Sequence, residues 1–282
     1  MKYVTAEVNL RRSVLDFDHA FPDTAGRRPC FAESTQAAGA VIMTHPWYVD
    51  YFGEDYYHFD HHEDTDLEVD GLARLIGRPD GSVVLDLGCG YGRVSTPLRK
   101  RGYRVVGYDL SPPLLKRARE RDPAGTWVRG DMRFLPFAGQ FDTVISLFNT
   151  LGYFEEEDEN FRVLKSVSEA LRPGGRLVCQ LVNRDYLVRR FAAQEVHRRD
   201  GRILLEERDF DPVANRVHTQ STVLNGAEKR TYASSIRVYT VTELDLLLAA
   251  AGMSIIAVHG GLDFRPYDWD TNQLVIVAER AG

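Results

Sequence analysis

The stretch that most constrains this chain is Val84-Leu85-Asp86-Leu87-Gly88-Cys89-Gly90-Tyr91-Gly92-Arg93, where an apolar run from Val83 ends in three glycines at alternate positions. Arg93 and Ser95 follow, then a segment from Leu98 to Arg101 closed by Gly102. This order predicts a buried strand, a tight turn and a helix. Glycines at such a turn tolerate positive φ and let a ligand approach the backbone. The spacing is Gly-x-Gly-x-Gly, not the Gly-x-Gly-x-x-Gly that seats a dinucleotide pyrophosphate. A glycine-rich turn with no ligand is the plainer alternative.

The same rhythm repeats downstream. Arg104 to Asp109 reads as a second strand ending in an acid, about 20 residues beyond the first glycine, where an acid can accept both ribose hydroxyls of a nucleoside. Ser111 is placed to cap a helix that carries Pro112 and Pro113 in its first turn. A third strand, Thr126 to Gly130, runs into Asp131-Met132. A fourth unit spans Phe141 to Tyr153, and a helix from Glu157 to Leu171 leads through Arg172-Pro173-Gly174-Gly175 into a strand from Arg176 to Val182. Strand–helix alternation at this spacing predicts an α/β chain with a Rossmann-like, doubly wound, mostly parallel sheet.

Beyond Val182 the pattern changes. Glu195 to Phe210, Arg216 to Val223 and Lys229 to Tyr239 are three partly alternating runs separated by turn residues, which predicts an inserted antiparallel β lid over residues 184–238. Thr240-x-x-Glu243 is a capping box for a helix ended by Gly252, and strands from Ser254 to His259 and Gln273 to Glu279 complete the sheet. The expected division is an N-terminal extension with an aromatic cap (1–64), a Rossmann-like domain (65–183 and 239–282) and the lid. Tyr3 to Leu10 is a candidate strand and Pro22 to Ala40 reads as loop or short helix. From His45 to Asp66, seven aromatic residues sit among seven acids with no Lys or Arg. Thr65-x-x-Glu68 then reads as another capping box, opening a helix whose Val69, Leu72, Leu75 and Ile76 form one stripe.

At 282 residues and 44% hydrophobic, the chain is long enough for one sizeable core and an appended unit. A net charge of −6 argues against a sequence-independent grip on nucleic-acid phosphates. Cys30, Cys89 and Cys179 form no disulfide or zinc pattern, which suits a reducing cytoplasm. No apolar run reaches membrane-spanning length. The expected partner is a small-molecule substrate, with no nucleic acid and no membrane; a homo-oligomer is left open.

The glycine run, the acids Asp86, Asp109 and Asp131 in order, and the Pro-Gly-Gly turn resemble the class I S-adenosylmethionine (AdoMet)-dependent methyltransferases. The run Ser146 to Tyr153, the lid with Arg199-Asp200-Gly201-Arg202, and Arg237-x-Tyr239-x-x-x-Glu243-Leu244 are most similar to bacterial small-molecule members that N-methylate amino sugars. The likeness covers Pro46 to the C-terminus. It implies S-adenosyl-L-methionine as cofactor, held by Asp86, Gly88, Gly90, Gly92, Asp109, Leu110, Asp131, Met132 and Leu147. In such proteins the acid after the third strand meets the adenine amino group, and the residue after it gives a backbone N–H.

The resemblance also puts an N-terminal tyrosine over the cofactor, making Tyr48 and Tyr51 candidates; packing of these rings on the sheet is the alternative. Ring faces attract a sulfonium by roughly 0.5–2 kcal/mol each. Tyr153, after the fourth strand, is the catalytic candidate, with Asn149, Arg237 and Tyr239 as substrate-binding residues or packing groups. His58, His61 and His62 would share a helical face, but their polar surroundings favour an exposed cluster over a metal site, and no metal is expected. The acidic tract either attracts an amine or is simply solvated. The expected function is one-step methyl transfer to an amine or hydroxyl of a natural-product or amino-sugar-like molecule. The alternatives are a methyltransferase-fold protein that binds AdoMet without methylating, or an oxidoreductase.

Overall fold

The computed structural model describes residues 46–60, 62, 64–77 and 79–282. The candidate strand from Tyr3 to Leu10, the segment from Pro22 to Ala40, Cys30, His45 and His61 lie outside the described residues. In chain order, α1 (Trp47–Tyr51), α2 (Glu54–Phe59) and α3 (Thr65–Ile76) precede β1 (Val83–Leu87), α4 (Ser95–Lys100), β2 (Arg104–Asp109) and α5 (Pro112–Arg121). Next come β3 (Thr126–Arg129), β4 (Phe141–Ser146), α6 (Glu157–Ala170), β5 (Leu171–Val182) and α7 (Arg184–Arg189). Four strands follow, β6 (Gln194–Arg199), β7 (Arg202–Asp211), β8 (Arg216–Asn225) and β9 (Glu228–Arg237), then α8 (Val241–Ala250), β10 (Met253–His259) and β11 (Gln273–Arg280).

Seven strands form one sheet in the order β10-β11-β5-β4-β1-β2-β3. The pairings among β1 to β5 are parallel, whereas β11 runs antiparallel to both β5 and β10. This is the Rossmann-like, mostly parallel sheet that the sequence predicts. A parallel strand covered on both faces reads as a continuous apolar run. In β1, Leu85 and Leu87 pack with Val144, Val163 and Val167 on one side, while Val84 packs with Val69, Leu72 and Val105 on the other. Strand order reverses between β1 and β4, so a crevice opens at their carboxyl ends.

The second sheet is antiparallel, in the order β6-β7-β8-β9. It has four strands rather than the three predicted. Asp200 (φ 46°) and Gly201 (φ 77°) make a two-residue hairpin turn that splits the run Glu195 to Phe210. Positive φ at both central residues matches strand twist and is the usual use of Asp-Gly. The Thr240–Glu243 box forms in both directions at the start of α8. The Thr65–Glu68 box does not form, because Asp64 occupies the cap position without a side-chain bond. Both side chains are instead taken by the buried Arg93, whose Nη1 donates to Thr65 Oγ1 (2.8 Å) and to Glu68 Oε2 (2.6 Å). A charge-assisted bond to a carboxylate outweighs a neutral cap. The Pro-Gly-Gly segment also differs, lying inside β5 where the β4–β5 register shifts.

The short helices α1 and α2 are tied to both sheets. Trp47 Nε1 donates to the Tyr153 carbonyl (3.1 Å), and Ser111 Oγ donates to the Phe52 carbonyl (2.6 Å). Asp55 on α2 is 5% exposed. It accepts from Tyr232 Oη (2.8 Å), Arg230 Nη1 (3.1 Å) and Arg202 Nη1 (3.4 Å), on β9 and β7. Removing a buried carboxylate strands its donors. Both arginines are partly solvated, which lowers the cost. Asp55→Ala should therefore destabilise the chain by about 2 kcal/mol in denaturant unfolding, and hydrogen exchange should quicken in α2 and β9 while β1 stays protected. Unchanged exchange in α2 would show that the carboxylate is not what holds the helix to the sheet.

Candidate active site

Gly88 (φ 74°) and Gly90 (φ 53°) turn the chain at the end of β1. A Cβ on Gly88 would lie 2.6 Å from Thr150 Cγ2, so a side chain there is excluded by space as well as by φ. The neighbouring strand supplies the brace. Asp109 Oδ2 accepts the Gly90 N–H (2.8 Å) and Oδ1 accepts the Ser111 N–H (2.7 Å). Ser111 Oγ in turn caps α5 by accepting from Leu114 N (3.3 Å). A cavity opens over this turn. Of the residues singled out in the sequence, Tyr48, Asp86, Gly88, Gly90, Asp109, Leu110, Asp131, Met132, Leu147 and Tyr153 all line it.

Five do not. Gly92 faces the Trp127 ring, where a Cβ would come within 2.4 Å, so its place is packing. Tyr51, the last residue of α1, turns toward the second sheet and lines a separate space with Asp55, Ser221 and Tyr232. Asn149 accepts the Val182 N–H (2.6 Å) through Oδ1 and so ends β5 instead of entering the cavity. Arg237 pairs with Glu243 Oε1 (2.5 Å) and lies over the Tyr239 ring at 4.5 Å. Tyr239 is buried in the core beside Leu244 and Leu248. These are packing positions among the alternatives the sequence left open.

The three acids differ electrostatically. Burial pushes the Asp86 carboxyl up to about 6, although Ser95 Oγ donates to it at 2.5 Å. Burial also raises Asp109, opposed by its backbone N–H donors. Asp131 is held below the ordinary range: burial works against ionisation, but the Arg133 guanidinium and backbone N–H outweigh it. Burial raises the Tyr153 phenol far above its usual value, so it stays protonated at neutral pH. Its ring lies 5.5 Å from Phe52 in a stacked arrangement and 5.0 Å from Trp47 edge-on.

Several further residues line the cavity that the sequence reading did not assign to it. Phe52, Tyr56 and Phe154 add aromatic wall, and Asp60, His62 and Arg93 line the end near Asp86 and Phe148. His62 Nε2 lies 2.8 Å from Asp60 Oδ1. Desolvation would raise Asp60, yet His62, Tyr91 and Arg93 together hold it below the usual range. Helix α2 ends at Phe59, so His58 and His62 share no helical face, and His58 Nε2 instead lies 3.2 Å from the Arg199 carbonyl. Neither is exposed. Arg93 was visible directly after the glycines; nothing local marks Asp60-x-His62 as its neighbours.

Three of the seven acids of the aromatic tract are taken by cationic partners, while Asp50, Asp64 and Asp66 are exposed. Glu54 pairs with Arg117, Asp55 with Arg202 and Arg230, and Asp60 with His62. Two residues just beyond β4 are strained. Phe148 (φ 55°) and Asn149 (φ 58°) are both left-handed, and the Phe148 ring lies 4.3 Å from the Arg93 guanidinium and 4.6 Å from His62.

The donor set fits AdoMet. A buried carboxyl raised by desolvation favours a cationic neighbour. Aromatic faces suit a sulfonium, and Asp109 lies at the end of the second strand where an acid meets ribose hydroxyls. Among known families, a methyltransferase-domain model matches residues 84–175. The chain is 29% identical over 208 residues to a cypemycin N-terminal methyltransferase from a Streptomyces species, covering 71% of this chain and 84% of the relative. It is 28% identical over 218 residues to the dTDP-3-amino-3,4,6-trideoxy-alpha-D-glucopyranose N,N-dimethyltransferase of Streptomyces venezuelae, covering 73% and 91%. The solved CcbJ methyltransferase from Streptomyces caelestis superposes with a TM-score of 0.72 at 27% identity, over 82% of this chain and 98% of that one. Among the described residues, no helix is long and apolar enough to cross a membrane. The glycine turn, the strand order and these similarities make the chain a member of the class I AdoMet-dependent methyltransferases.

Proposed function

We propose that the chain methylates a small-molecule amine, of an amino-sugar-like or other natural-product kind, ahead of a hydroxyl, in one displacement step. The observation that carries this reading is the aromatic enclosure of Tyr48, Phe52, Tyr153 and Phe154 over a crevice bearing Asp86, Asp109 and Asp131. Two relatives, an amino-sugar N,N-dimethyltransferase and a cypemycin N-terminal methyltransferase, support nitrogen as the acceptor. In this reading residues 184–238 are a lid and the segment up to residue 64 a cap. Gly88 and Gly90 admit the cofactor to the backbone. Asp109 takes the ribose hydroxyls, Asp131 and the Met132 N–H the adenine edge, Leu110 and Leu147 the flanking walls, and Asp86 the ammonium end.

Bound AdoMet supplies an electrophilic methyl on a positive sulfur. The protein's share is alignment, worth roughly 7–11 kcal/mol in favourable cases. Tyr153, kept protonated by burial, serves as a hydrogen-bond donor and wall rather than as a base. The proton released by the amine passes to His62, which Asp60 orients. Incubation with AdoMet and a panel of amines and phenols tests the reading directly. N-methyl products with equimolar S-adenosylhomocysteine support it. Tight AdoMet binding with no product from any acceptor would favour the binding-only alternative.

Three variants sharpen the assignment. Asp109→Ala should weaken S-adenosylhomocysteine by about ten- to a thousandfold in calorimetric titration, since charge-assisted bonds contribute roughly 1.5–3 kcal/mol each. The same change frees the Gly90 and Ser111 N–H groups, so the melting temperature should fall too, and Asp109→Asn, which keeps an acceptor oxygen, should be milder. Tyr153→Phe should lower kcat while leaving cofactor affinity nearly unchanged; a fully active variant would reduce the hydroxyl to a spectator.

Asp86 carries the pH dependence. Its carboxyl titrates near about 6 in the folded chain and about 4 when unfolded. The native state therefore holds the extra proton between these values, and stability falls as pH rises from 4 to 6, by at most about 3 kcal/mol. Cofactor affinity should move the opposite way, rising as pH passes up through 6 and the carboxylate forms. Asp86→Asn should flatten both profiles; an unchanged binding profile in that variant would remove Asp86 from the ammonium end.

A further inference from the structure

Between the short helices and the second sheet lies a recess of about 170 Å³ that the cofactor site does not use. Tyr51, Tyr56 and Phe59 of α1 and α2 form one side, and Leu204, Val223 and Tyr232 of β7, β8 and β9 the other. Strand alternation explains the second set. Leu204 pairs with Val223, and Tyr232 pairs with Ser221, two residues back along β8, so all four share one face of the sheet. Tyr56 and Asp60 line the recess and the cofactor cavity alike, so the two spaces meet where Asp60 holds His62.

The polar groups of this recess are already used. Tyr232 Oη donates to Asp55 Oδ2, which also takes Arg230, and Arg202 reaches Oδ1. The Tyr51 hydroxyl has Ser221 as its hydrogen-bond partner. Among the described residues, none that lines the recess carries a buried side-chain nitrogen or oxygen without a partner. A charged or polar ligand would therefore find nothing left to satisfy. What remains on offer is ring face and aliphatic carbon, with the Tyr51 ring 5.9 Å from Tyr56 and 6.3 Å from Tyr232. Close-packed interiors keep few voids larger than a water. A cavity of roughly 150 Å³ with an apolar lining stays dry and takes benzene.

We infer that this recess receives an aromatic ring carried by the methyl acceptor. The inference rests on the methyl-transfer reading above and adds an acceptor class: an amine bearing an aryl arm. Its nitrogen lies by Asp60 and His62, and its ring lies beyond Tyr56. A ring suits the space better than an alkyl chain, because the tyrosines already stand edge-on or tilted to one another, and aromatic pairs in such arrangements gain more than their buried area. Leu204 and Val223 then limit the size of the ring, which makes them specificity-determining residues.

The test uses the full chain saturated with S-adenosylhomocysteine and two probes of equal charge, benzylamine and n-propylamine, titrated calorimetrically. Benzylamine should bind more tightly by about tenfold or more, the worth of burying a ring's apolar surface. Leu204→Phe, which narrows the recess, should remove that advantage while S-adenosylhomocysteine affinity stays unchanged. Val223→Ala, which widens it without adding bulk, should improve 1-naphthylmethylamine relative to benzylamine. Val196→Phe, on the exposed opposite face of the sheet, should bind both probes like the parent. Equal affinity for benzylamine and n-propylamine, or no benzylamine binding at millimolar concentration, would overturn the inference. So would an unchanged ring-size preference in Val223→Ala, or equal weakening by Val196→Phe. Failure of the methyl-transfer reading would appear separately, as absence of S-adenosylhomocysteine binding in the parent.

Discussion

The Asp109 carboxylate accepts the Gly90 N–H with one oxygen and the Ser111 N–H with the other, so a single side chain fixes two turns on adjacent strands. Neither turn would hold its shape alone. Gly88, Gly90 and Gly92 all have positive φ, and glycine gives up more backbone freedom on folding than any other residue. Leu114 and Leu115, just beyond Ser111, anchor α5 in the core, so the brace extends from the sheet through the turn into the helix. The site is thereby shaped before any ligand arrives, which lowers the ordering cost of binding.

Elements whose cause is local could be read from the sequence. β1 is an apolar run ended by glycines, α5 has its cap and prolines within three residues, and α8 has a reciprocal box. Residues whose partners are distant could not. Asn149 looks like a pocket amide until the Val182 N–H, 33 positions away, claims its oxygen. Arg237 looks like a substrate contact until Glu243 and the Tyr239 ring take it. Thr65 and Glu68 have a capping spacing, but Arg93 competes for both from 25 and more residues away. The Asp200-Gly201 turn was written in the sequence and hidden inside a longer alternating run.

The acidic, aromatic segment before α3 serves as a clasp as much as a wall. Its rings face the cavity on one side, while Glu54 and Asp55 reach arginines on α5 and on the second sheet. Charge that looks like a solvated face in one dimension becomes a set of ties in three. Helices α1 and α2 and the second sheet consequently report on each other through Asp55, and through Tyr51 packed edge-on to Tyr232 at 6.3 Å.

Two consecutive left-handed residues that are not glycine, Phe148 and Asn149, follow β4. Such conformations cost about 1–3 kcal/mol each and persist only where their surroundings over-determine them. Here the Arg93 and His62 stack and the Val182 hydrogen bond do so. Arg93 and His62 thus hold a strained backbone as well as lining the cavity, so replacing either one loosens the Phe148 wall of that cavity without touching it directly.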